Sequence, residues 1–263
     1  MEKPVVIMNF SGIYEKENFY KDIDYQWLDL RNIRGTNCYC DEAAQSRLKE
    51  ILKGYTPYGI HFIDSGNYHY VTKLWTEKIS RPFSLILFDH HTDLQPPAFG
   101  DILSCGSWVK VMLDTCPNLV RVYLIGMPEK NCYFGGQEKR KKLIWISEEE
   151  VLQEKNWKRT FLSSLTEPVY ISVDKDLLSE ETVKTNWDQG SITIDKLEEM
   201  LEAVLNNCSV IGMDVCGEYI NKEYDRTIER KCAERYYKAH DIVNKLLLEQ
   251  YLNTENALLR KFN

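Results

Sequence analysis

The chain has 263 residues, of which 43% are hydrophobic, and a formal net charge of −7 at pH 7. This composition is typical of a folded globular protein and excludes a largely disordered chain. The acidic balance argues against a nucleic-acid partner, because phosphate binding needs a basic surface.

Neither end nor middle of the sequence indicates a membrane protein. The N-terminal apolar stretch, MEKPVVIMNF, is too short for a signal peptide, and no segment approaches the ~20 apolar residues of a membrane span. Eight scattered cysteines indicate free thiols in a reducing compartment, which predicts a cytoplasmic location. Cys38 and Cys40 form a close pair, but no second pair completes a zinc site of the usual kind.

Seven short apolar runs, rich in β-branched and aromatic residues, predict buried strands of a parallel sheet. In chain order they span residues 5–10, 58–63, 84–88, 120–126, 143–146, 169–173 and 209–215. Amphipathic stretches between them predict helices at 42–52, 193–207 and 239–252, and Ser147 with Glu150 predicts a capping box at the start of another.

Strands that alternate with helices predict a three-layer α/β/α fold with a mostly parallel central sheet. No linker and no internal repeat interrupts the pattern, so residues 1–263 are expected to form a single domain. Ligand sites in such sheets lie beyond the carboxyl ends of the strands. The residues that follow each apolar run are therefore the candidates for chemistry.

The strand at 84–88 is followed by Asp89-His90-His91-Thr92-Asp93. If the chain stays extended there, Asp89, His91 and Asp93 share one face and His90 lies on the other. Aspartate and histidine are ligands for hard and borderline divalent cations. This segment therefore predicts three metal ligands, with His90 in a supporting or core position.

Two other predicted strands end in similar residues. The strand at 169–173 runs into Asp174 and Asp176, whose carboxylates would repel each other unless a cation or a shared proton lies between them. The strand at 58–63 is followed by Gly66 and Asn67, which favour a tight turn that returns His69 to the strand end.

Together these positions give a candidate set of metal ligands: His69, Asp89, His91, Asp93, Asp174 and Asp176. Two imidazoles and four carboxylates are too many and too anionic for one zinc ion, but they suit two divalent ions with bridging carboxylates. Taken singly, Asp93 and Asp176 could instead cap helices, and His69 could be a core histidine. His61 and His240 are expected to be packing residues.

At these positions the chain resembles the ureohydrolase (arginase/agmatinase) superfamily. The family pattern of Gly-Gly-Asp-His, Asp-Ala-His-x-Asp and Ser-x-Asp-x-Asp corresponds to GNYH at 66–69, DHHTD at 89–93 and SVDKD at 172–176. The first motif is degenerate and the other two are specific. The resemblance covers roughly residues 58–218.

The resemblance implies two manganese ions, or other divalent metals, bridged by Asp89 and Asp174. His69 and Asp93 would complete one site, and His91 and Asp176 the other. It further implies hydrolysis of a C–N bond in a cationic guanidino or amidine compound, with Asp93 orienting the attacking water and passing its proton to the leaving amine. Members of the family often form oligomers, which leaves a homo-oligomer open.

Several positions depart from the family pattern and affect the expected substrate contacts. Cys105 stands where the family has a histidine that shuttles protons, which makes Cys105 a candidate catalytic residue. Glu218 lies one residue later than the family's glutamate that contacts the guanidinium. It is therefore a candidate catalytic and substrate-binding residue only if a local bulge returns it to the site. Trp187 and Asp188 occupy a loop with small residues in arginases and are candidate substrate contacts.

Two other functions compete with this one. The same fold supports deacetylase-type amidohydrolases with one zinc ion and a pair of histidines, which His90 and His91 resemble superficially. The extra carboxylates of Asp93 and Asp176 favour two metals instead. The departures at Cys105 and Glu218 favour a third function, a catalytically degenerate, metal-binding regulatory protein.

Overall fold

The structure, a computed structural model, describes residues 4–98, 100–131, 139–153, 157–221 and 230–261. Within these residues eight parallel strands form a central sheet: β1 Val5–Asn9, β2 Gln26–Asp29, β4 Gly59–Phe62, β5 Phe83–Phe88, β7 Leu119–Ile125, β8 Leu143–Ile146, β9 Val169–Asp174 and β10 Val210–Cys216. Their order is β2-β1-β4-β10-β9-β5-β7-β8. Two short strands, β3 Tyr39–Cys40 and β6 Leu103–Ser104, pair separately as an antiparallel ribbon.

Helices cover both faces of the sheet. Their bounds are α1 Glu42–Leu52, α2 Val71–Thr76, α3 Trp108–Thr115, α4 Glu148–Leu152, α5 Trp157–Ser164, α6 Ile194–Asn207 and α7 Arg230–Lys261. Alternate residues of β5 enter different hydrophobic clusters: Ile86 packs with the cluster that contains residues of α4 to α7, and Leu87 with the cluster that contains residues of α1 to α3. This alternation is that of a sheet buried on both sides. The predicted three-layer α/β/α class is confirmed.

The seven predicted strands are all present, with bounds that differ by one residue at most at either end. The strands β2, β3 and β6 were not predicted, because they are too short to contain a continuous apolar run. In addition, β2 lies at the sheet edge and is partly exposed. The capping box of Ser147 and Glu150 is confirmed at the start of α4. The C-terminal helix is longer than predicted: it spans Arg230–Lys261, whereas the sequence predicted 239–252.

The single-domain organisation of residues 1–263 stays a prediction. Over the described part of the chain, no helix combines the length and the apolar character needed to cross a membrane.

The order of the strands determines where the polar loops meet. Strands β10, β9 and β5 are direct neighbours, and β4 lies on the other side of β10. Neighbouring strands are about 4.8 Å apart, and all four run in the same direction, so the loops that follow them emerge side by side at one edge of the sheet.

His61, in the middle of β4, is a buried packing residue rather than a ligand. Its ring stacks on Trp75 with centroids 3.9 Å apart, and its Nδ1 lies 3.0 Å from the Tyr170 hydroxyl. Burial lowers the pKa of His61 to about 3. The folded state therefore holds this imidazole neutral, whereas the unfolded chain protonates it near its ordinary pKa of about 6.5.

We expect His61 to make the protein sensitive to acid. Because its folded pKa is depressed, its contribution to stability is present above pH 6.5 and is lost as the pH falls from about 6.5 towards 3. Between pH 6.5 and 4.5 the His61→Gln variant should lose about 2 kcal/mol less unfolding free energy than the wild type. Urea unfolding at the two pH values measures this difference. Equal losses in the two proteins would contradict the assignment.

Candidate metal centre

The six residues predicted as metal ligands converge at the carboxyl ends of β4, β5 and β9. All six line one cavity of about 430 Å³. Among the described residues that line this cavity, the six are the only ones with ionisable carboxylate or imidazole groups; the other lining residues are Cys38, Tyr39, Gly66, Thr92, Leu94, Gln95, Pro96, Ser104, Cys105, Gly106 and Trp187. We call the six residues the candidate metal centre.

The loop after β5 reaches the centre by turning back on itself. The chain does not stay extended as the alternation argument assumed, because Asp93 adopts a left-handed backbone conformation with φ of 49°. The Asp89 carboxylate accepts a hydrogen bond from the backbone N–H of His91 at 2.6 Å, which closes the first part of this turn. Asp89, His91 and Asp93 therefore converge through local hydrogen bonding and not through strand periodicity.

His69 arrives from the loop after β4. Residues Gly66–Tyr68 form a short 3₁₀ helix, and the left-handed residue of this loop is Asp64 rather than Gly66. Glycine is needed at 66 for a different reason: a Cβ there would lie 2.9 Å from Oδ2 of Asp174 and 3.0 Å from the Trp187 ring. The glycine thus allows this loop to pack directly against the centre.

Hydrogen bonds fix the tautomer of the His69 ring. Ser172 donates its hydroxyl proton to Asp214 at 2.6 Å, and the same oxygen lies 2.9 Å from His69 Nε2. Since a hydroxyl has one proton, Ser172 accepts from His69, and Nε2 carries the hydrogen. Nδ1 then directs its lone pair at the carboxylates. A carboxylate partner behind a histidine ligand is a usual device for orienting the ring.

The contacts of His69 Nδ1 match ligands around an ion better than hydrogen bonds. Nδ1 lies 3.3 Å from a carboxylate oxygen of Asp89, 3.3 Å from one of Asp93 and 3.4 Å from one of Asp174. One ring nitrogen cannot donate to three acceptors, and charge-assisted hydrogen bonds are shorter, about 2.7–2.9 Å. Nitrogen and oxygen ligands at about 2.1 Å from one ion lie roughly 3.0–3.4 Å apart, which agrees with the observed separations.

Asp89 lies between the two histidines of the centre, and its two oxygens point to different rings. Oδ2 lies 3.3 Å from His69 Nδ1, and Oδ1 lies 3.7 Å from His91 Nδ1. His91 Nδ1 also lies 2.8 Å from Asp176 Oδ2. Two groups suited to an ion therefore share Asp89: one contains His69 and Asp93, and the other contains His91 and Asp176.

The electrostatics of the centre call for positive charge. Asp89 Oδ2 is buried and has no hydrogen-bond partner among the residues that the structure describes. Burial raises the pKa of Asp93 and of Asp174, and burial together with the charge of Asp89 raises the pKa of Asp176 to about 6. Buried carboxylates with an unpartnered oxygen and two imidazoles are a donor set that divalent cations fit.

Three residues named from the sequence do not reach the cavity. The His90 ring does not line the cavity and lies against Gly190, where an added Cβ atom would be 3.2 Å from His90 Nδ1. His90 and His91 therefore do not face a common point in the cavity. Asp188 is exposed and does not line the cavity. Glu218 is buried behind the centre rather than facing it.

Glu218 belongs to a buried polar network beneath the loop that carries Asp174 and Asp176. It forms an ion pair with the ammonium group of Lys175, and Asn244 of α7 donates a hydrogen bond to it at 2.7 Å. His240 Nδ1 lies 3.1 Å from its other oxygen. Although burial alone would raise the pKa of Glu218, the Lys175 charge lowers it below its ordinary value. Glu218 is thus paired inside the protein through Oε1, and it does not line the cavity.

Gly217 explains why the glutamate is displaced. Its φ of 92° turns the chain out of β10, and a Cβ at this position would lie 2.5 Å from Oδ1 of Asp174. Hence only glycine fits at position 217, beside the Asp174 carboxylate. The chain does not form the bulge that would have brought Glu218 into the cavity.

Cys105 and Trp187 do line the cavity. Cys105 lies opposite Cys38 across the β3–β6 ribbon, and its N–H donates to the Cys38 carbonyl at 2.9 Å. The hydrogen bond between the two thiols, followed by burial, raises the pKa of Cys105. Trp187 donates from Nε1 to Asn67 at 2.9 Å, and its ring centroid lies 6.1 Å from that of His91. The indole is therefore held as a wall beside the centre.

Sequence reasoning missed three residues that contact the centre. Ser172 orients His69, Trp108 donates from Nε1 to Asp93, and the Cys216 thiol lies 3.1 Å from Oδ2 of Asp174. Ser172 stood within the quoted SVDKD motif, which was a usable signal. The other two come from elements whose neighbours depend on tertiary structure.

Comparison with known proteins gives a consistent result. The model of the arginase family matches residues 20–233. An uncharacterized protein of Thermotoga maritima is 28% identical over 213 residues, which cover 81% of this chain and 78% of the relative.

Solved structures share the fold at low sequence identity. Proclavaminate amidino hydrolase from Streptomyces clavuligerus superposes with a TM-score of 0.66 at 15% identity, covering 97% of this chain and 93% of its own. Arginase from Bacillus subtilis superposes with a TM-score of 0.65 at 16% identity, covering 96% and 98% respectively.

Proposed function

Since the chain belongs to the arginase family, we propose that it is a metal-dependent hydrolase that cleaves a C–N bond of a linear amidine or guanidino compound, releasing urea or a related amide. The observation that supports this proposal most is the arrangement of three carboxylate oxygens at 3.3–3.4 Å around one nitrogen of His69. This arrangement supports a cation site, and it lies at the sheet edge where α/β proteins bind substrates.

We propose that two divalent cations, with manganese as the ion that the family resemblance implies, are held by the candidate metal centre. His69, Asp89, Asp93 and Asp174 would hold one ion. Asp89, His91, Asp174 and Asp176 would hold the other. When bound, such a pair supplies a water molecule with a lowered pKa and stabilises negative charge that develops in the transition state.

The residues of the chain then have separate tasks. Asp93 is the carboxylate placed to orient the attacking water and to move a proton to the leaving amine, since Trp108 fixes one of its oxygens. Trp187 and Cys105 line the cavity beside the centre and are proposed substrate contacts. Neither Glu218 nor Asp188 supports a role as the anchor for a cationic substrate, because neither lines the cavity.

A second candidate function follows from the residues that line the cavity. Among the described lining residues, no carboxylate outside the centre is available to a guanidinium group. A cationic substrate would have to be recognised by the centre itself. This feature favours a metal-binding protein without turnover over an arginase or agmatinase in the strict sense. The single-zinc deacetylase alternative is weaker, because His90 and His91 do not converge.

Metal removal tests the proposed function. We expect protein stripped by a chelator to lose hydrolysis by about 100-fold or more, and to regain it with manganese or another divalent ion, because the ions supply several kcal/mol of transition-state stabilisation. Release of urea or ammonia is measured over a panel of guanidino acids, formimidoyl amino acids, arginine and agmatine.

The matched control is Asp89→Asn, which removes the shared carboxylate and reports any contaminating activity. Two bound ions with no turnover across the panel would favour the second candidate function. Failure of the stripped protein to take up any divalent ion would contradict both. The cytoplasmic location and the formation of a homo-oligomer stay predictions from the sequence.

A further inference from the structure

We propose that Cys216 supplies a sulfur ligand to the metal ion held at His69 and Asp174, and that this position therefore prefers zinc, cobalt(II) or iron(II) over manganese. The inference depends on the proposed metal centre, which it deepens by assigning the two metal positions different chemistry. The sequence analysis gave Cys216 no role.

The sheet places Cys216 beside the centre. In the pairing of β9 with β10, Cys216 is the register partner of Asp174, so the two side chains leave the same face of the sheet. Cys216 is completely buried, and its Sγ lies 3.1 Å from Oδ2 of Asp174. Sγ, a ring nitrogen of His69 and a carboxylate oxygen of Asp174 all lie within 4.8 Å of one another.

The position of Cys216 is firmly determined by the backbone. Its strand is held on both sides, by β9 and by the contact of the Val215 carbonyl with the Ile63 N–H at 2.8 Å. The following residue, Gly217, has no room for a side chain beside Asp174. The Cα of Cys216 therefore cannot move away from the centre without a shift of the strand end.

The separation of sulfur from oxygen suits two ligands of one ion. A metal–sulfur bond of about 2.3 Å and a metal–oxygen bond of about 2.1 Å place the two atoms about 3.1 Å apart at a right angle and about 3.6 Å apart at a tetrahedral angle. The observed separation between Sγ and Oδ2 of Asp174 is 3.1 Å. His69, which shares the group, already has its Nδ1 lone pair directed at the same place.

The two metal positions are unequal, because a sulfur atom is among the possible ligands of one position and not of the other. The groups around His91 offer carboxylate oxygens and one imidazole nitrogen. The groups around His69 offer the same donors and, in addition, the soft sulfur of Cys216. On coordination the thiol loses its proton to solvent and binds as thiolate. Nitrogen and oxygen donors already bind zinc more tightly than manganese, and a thiolate ligand increases this difference, so the preference for zinc is larger at the His69 position than at the His91 position.

An ordinary buried thiol that donates a weak hydrogen bond to Asp174 would show the same distance, so the test must detect a sulfur–metal bond. Cobalt(II) provides it, because thiolate ligation produces an intense charge-transfer absorption in the near ultraviolet. Metal-stripped protein is titrated with cobalt(II) in the absence of added thiols, and the absorption and the bound cobalt per chain are recorded together.

The key variant is Cys216→Ser, which keeps the size and the hydrogen bond but replaces sulfur by oxygen. Cys105→Ser, in the cavity wall, and Cys40→Ser, at another buried position, are matched controls. We expect the band in the wild type and in both controls, and its loss in Cys216→Ser, while circular dichroism shows each variant to be folded.

The outcomes separate the inference from the proposed function. Two bound cobalt ions without the band in the wild type, or with the band retained in Cys216→Ser, would overturn the sulfur ligand and leave the metal centre intact. No bound cobalt in the wild type would overturn the centre and the inference together. If Cys216→Ser does not fold, Cys216→Ala is measured in its place, with the same expected loss.

Competition gives a second readout that does not depend on activity. The wild type, equilibrated with zinc and manganese together, should show a larger preference for zinc at one of its two positions than at the other. In Cys216→Ser the preference for zinc over manganese should fall by about 10- to 100-fold, the range seen when metal sites lose a supporting group. An unchanged preference would contradict the inference.

Discussion

Replacing Asp174 with asparagine is expected to remove both metal ions from the protein and abolish hydrolysis. Asp174 lies 3.4 Å from His69 Nδ1 and is the proposed bridge on the β9 side of the centre. A neutral amide contributes neither charge nor a second anionic oxygen to the bridge. We expect metal affinity to fall by about 100-fold or more, equivalent to about 2.7 kcal/mol, measured as metal content after dialysis.

The same variant should be no less stable than the wild type when both are free of metal. Burial, and next the charge of Asp176, raise the pKa of Asp174, so its charged form is unfavourable in the metal-free fold. Asparagine removes that cost while keeping the shape of the side chain. Urea unfolding after chelation should therefore show an equal or higher midpoint than the wild type.

Asp188→Asn is the matched control, because Asp188 is exposed in the loop that carries Trp187 and does not line the cavity. It should keep both ions and most of the activity. Two ions retained in Asp174→Asn would show that Asp174 is not a bridge. A large loss in Asp188→Asn would return Asp188 to the list of substrate contacts.

The Lys175→Met variant is expected to lose about 3–5 kcal/mol of unfolding free energy, the usual cost of removing one partner from a buried ion pair. Both Lys175 and Glu218 are fully buried and paired. Without Lys175, the described residues around the Glu218 carboxylate are Asn244, which donates a hydrogen bond, the nearby ring of His240, and Glu17. An uncompensated buried carboxylate is the physical reason for the loss.

The double variant Lys175→Met with Glu218→Gln separates charge from packing. It removes both charges, and we expect it to recover most of the loss, since buried ion pairs are often replaceable as pairs. Lys184→Met, which breaks an exposed pair with Glu180, should cost less than about 1 kcal/mol. All are compared by urea unfolding of metal-free protein. A double variant no more stable than Lys175→Met would show that packing, not charge, dominates.

The Lys175 network also connects the metal loop to the C-terminal helix. Lys175 stands between the proposed ligands Asp174 and Asp176, and its ammonium group donates to Asn244 of α7 at 2.9 Å. Asn244 in turn donates to Glu17 at 2.8 Å. Burial and the charge of Glu218 raise the pKa of Glu17, which favours the neutral form of this second carboxyl. The network therefore holds the loop of Asp174 and Asp176 through one ion pair, between Lys175 and Glu218.

The strands and the convergence of the six residues of the candidate metal centre could be predicted because they depend on local sequence. The run SLILF is buried on both faces, and an apolar strand with polar residues immediately after it needs no knowledge of its neighbours. His69, Asp89, His91, Asp93, Asp174 and Asp176 each follow such a strand. The alternation of an extended strand does not explain why Asp89, His91 and Asp93 converge, because the chain turns at Asp93 with a left-handed backbone conformation.

The sequence by itself thus determined the fold class, the place of the centre and its six candidate ligands, because buried strands and the residues at their ends are encoded locally. Only the tertiary structure decided which residues surround that centre. The order β10-β9-β5 brings Cys216 to Asp174, and the packing of α7 against Lys175 withdraws Glu218 from the cavity. Both outcomes depend on contacts between residues more than 40 positions apart, which chain periodicity does not record.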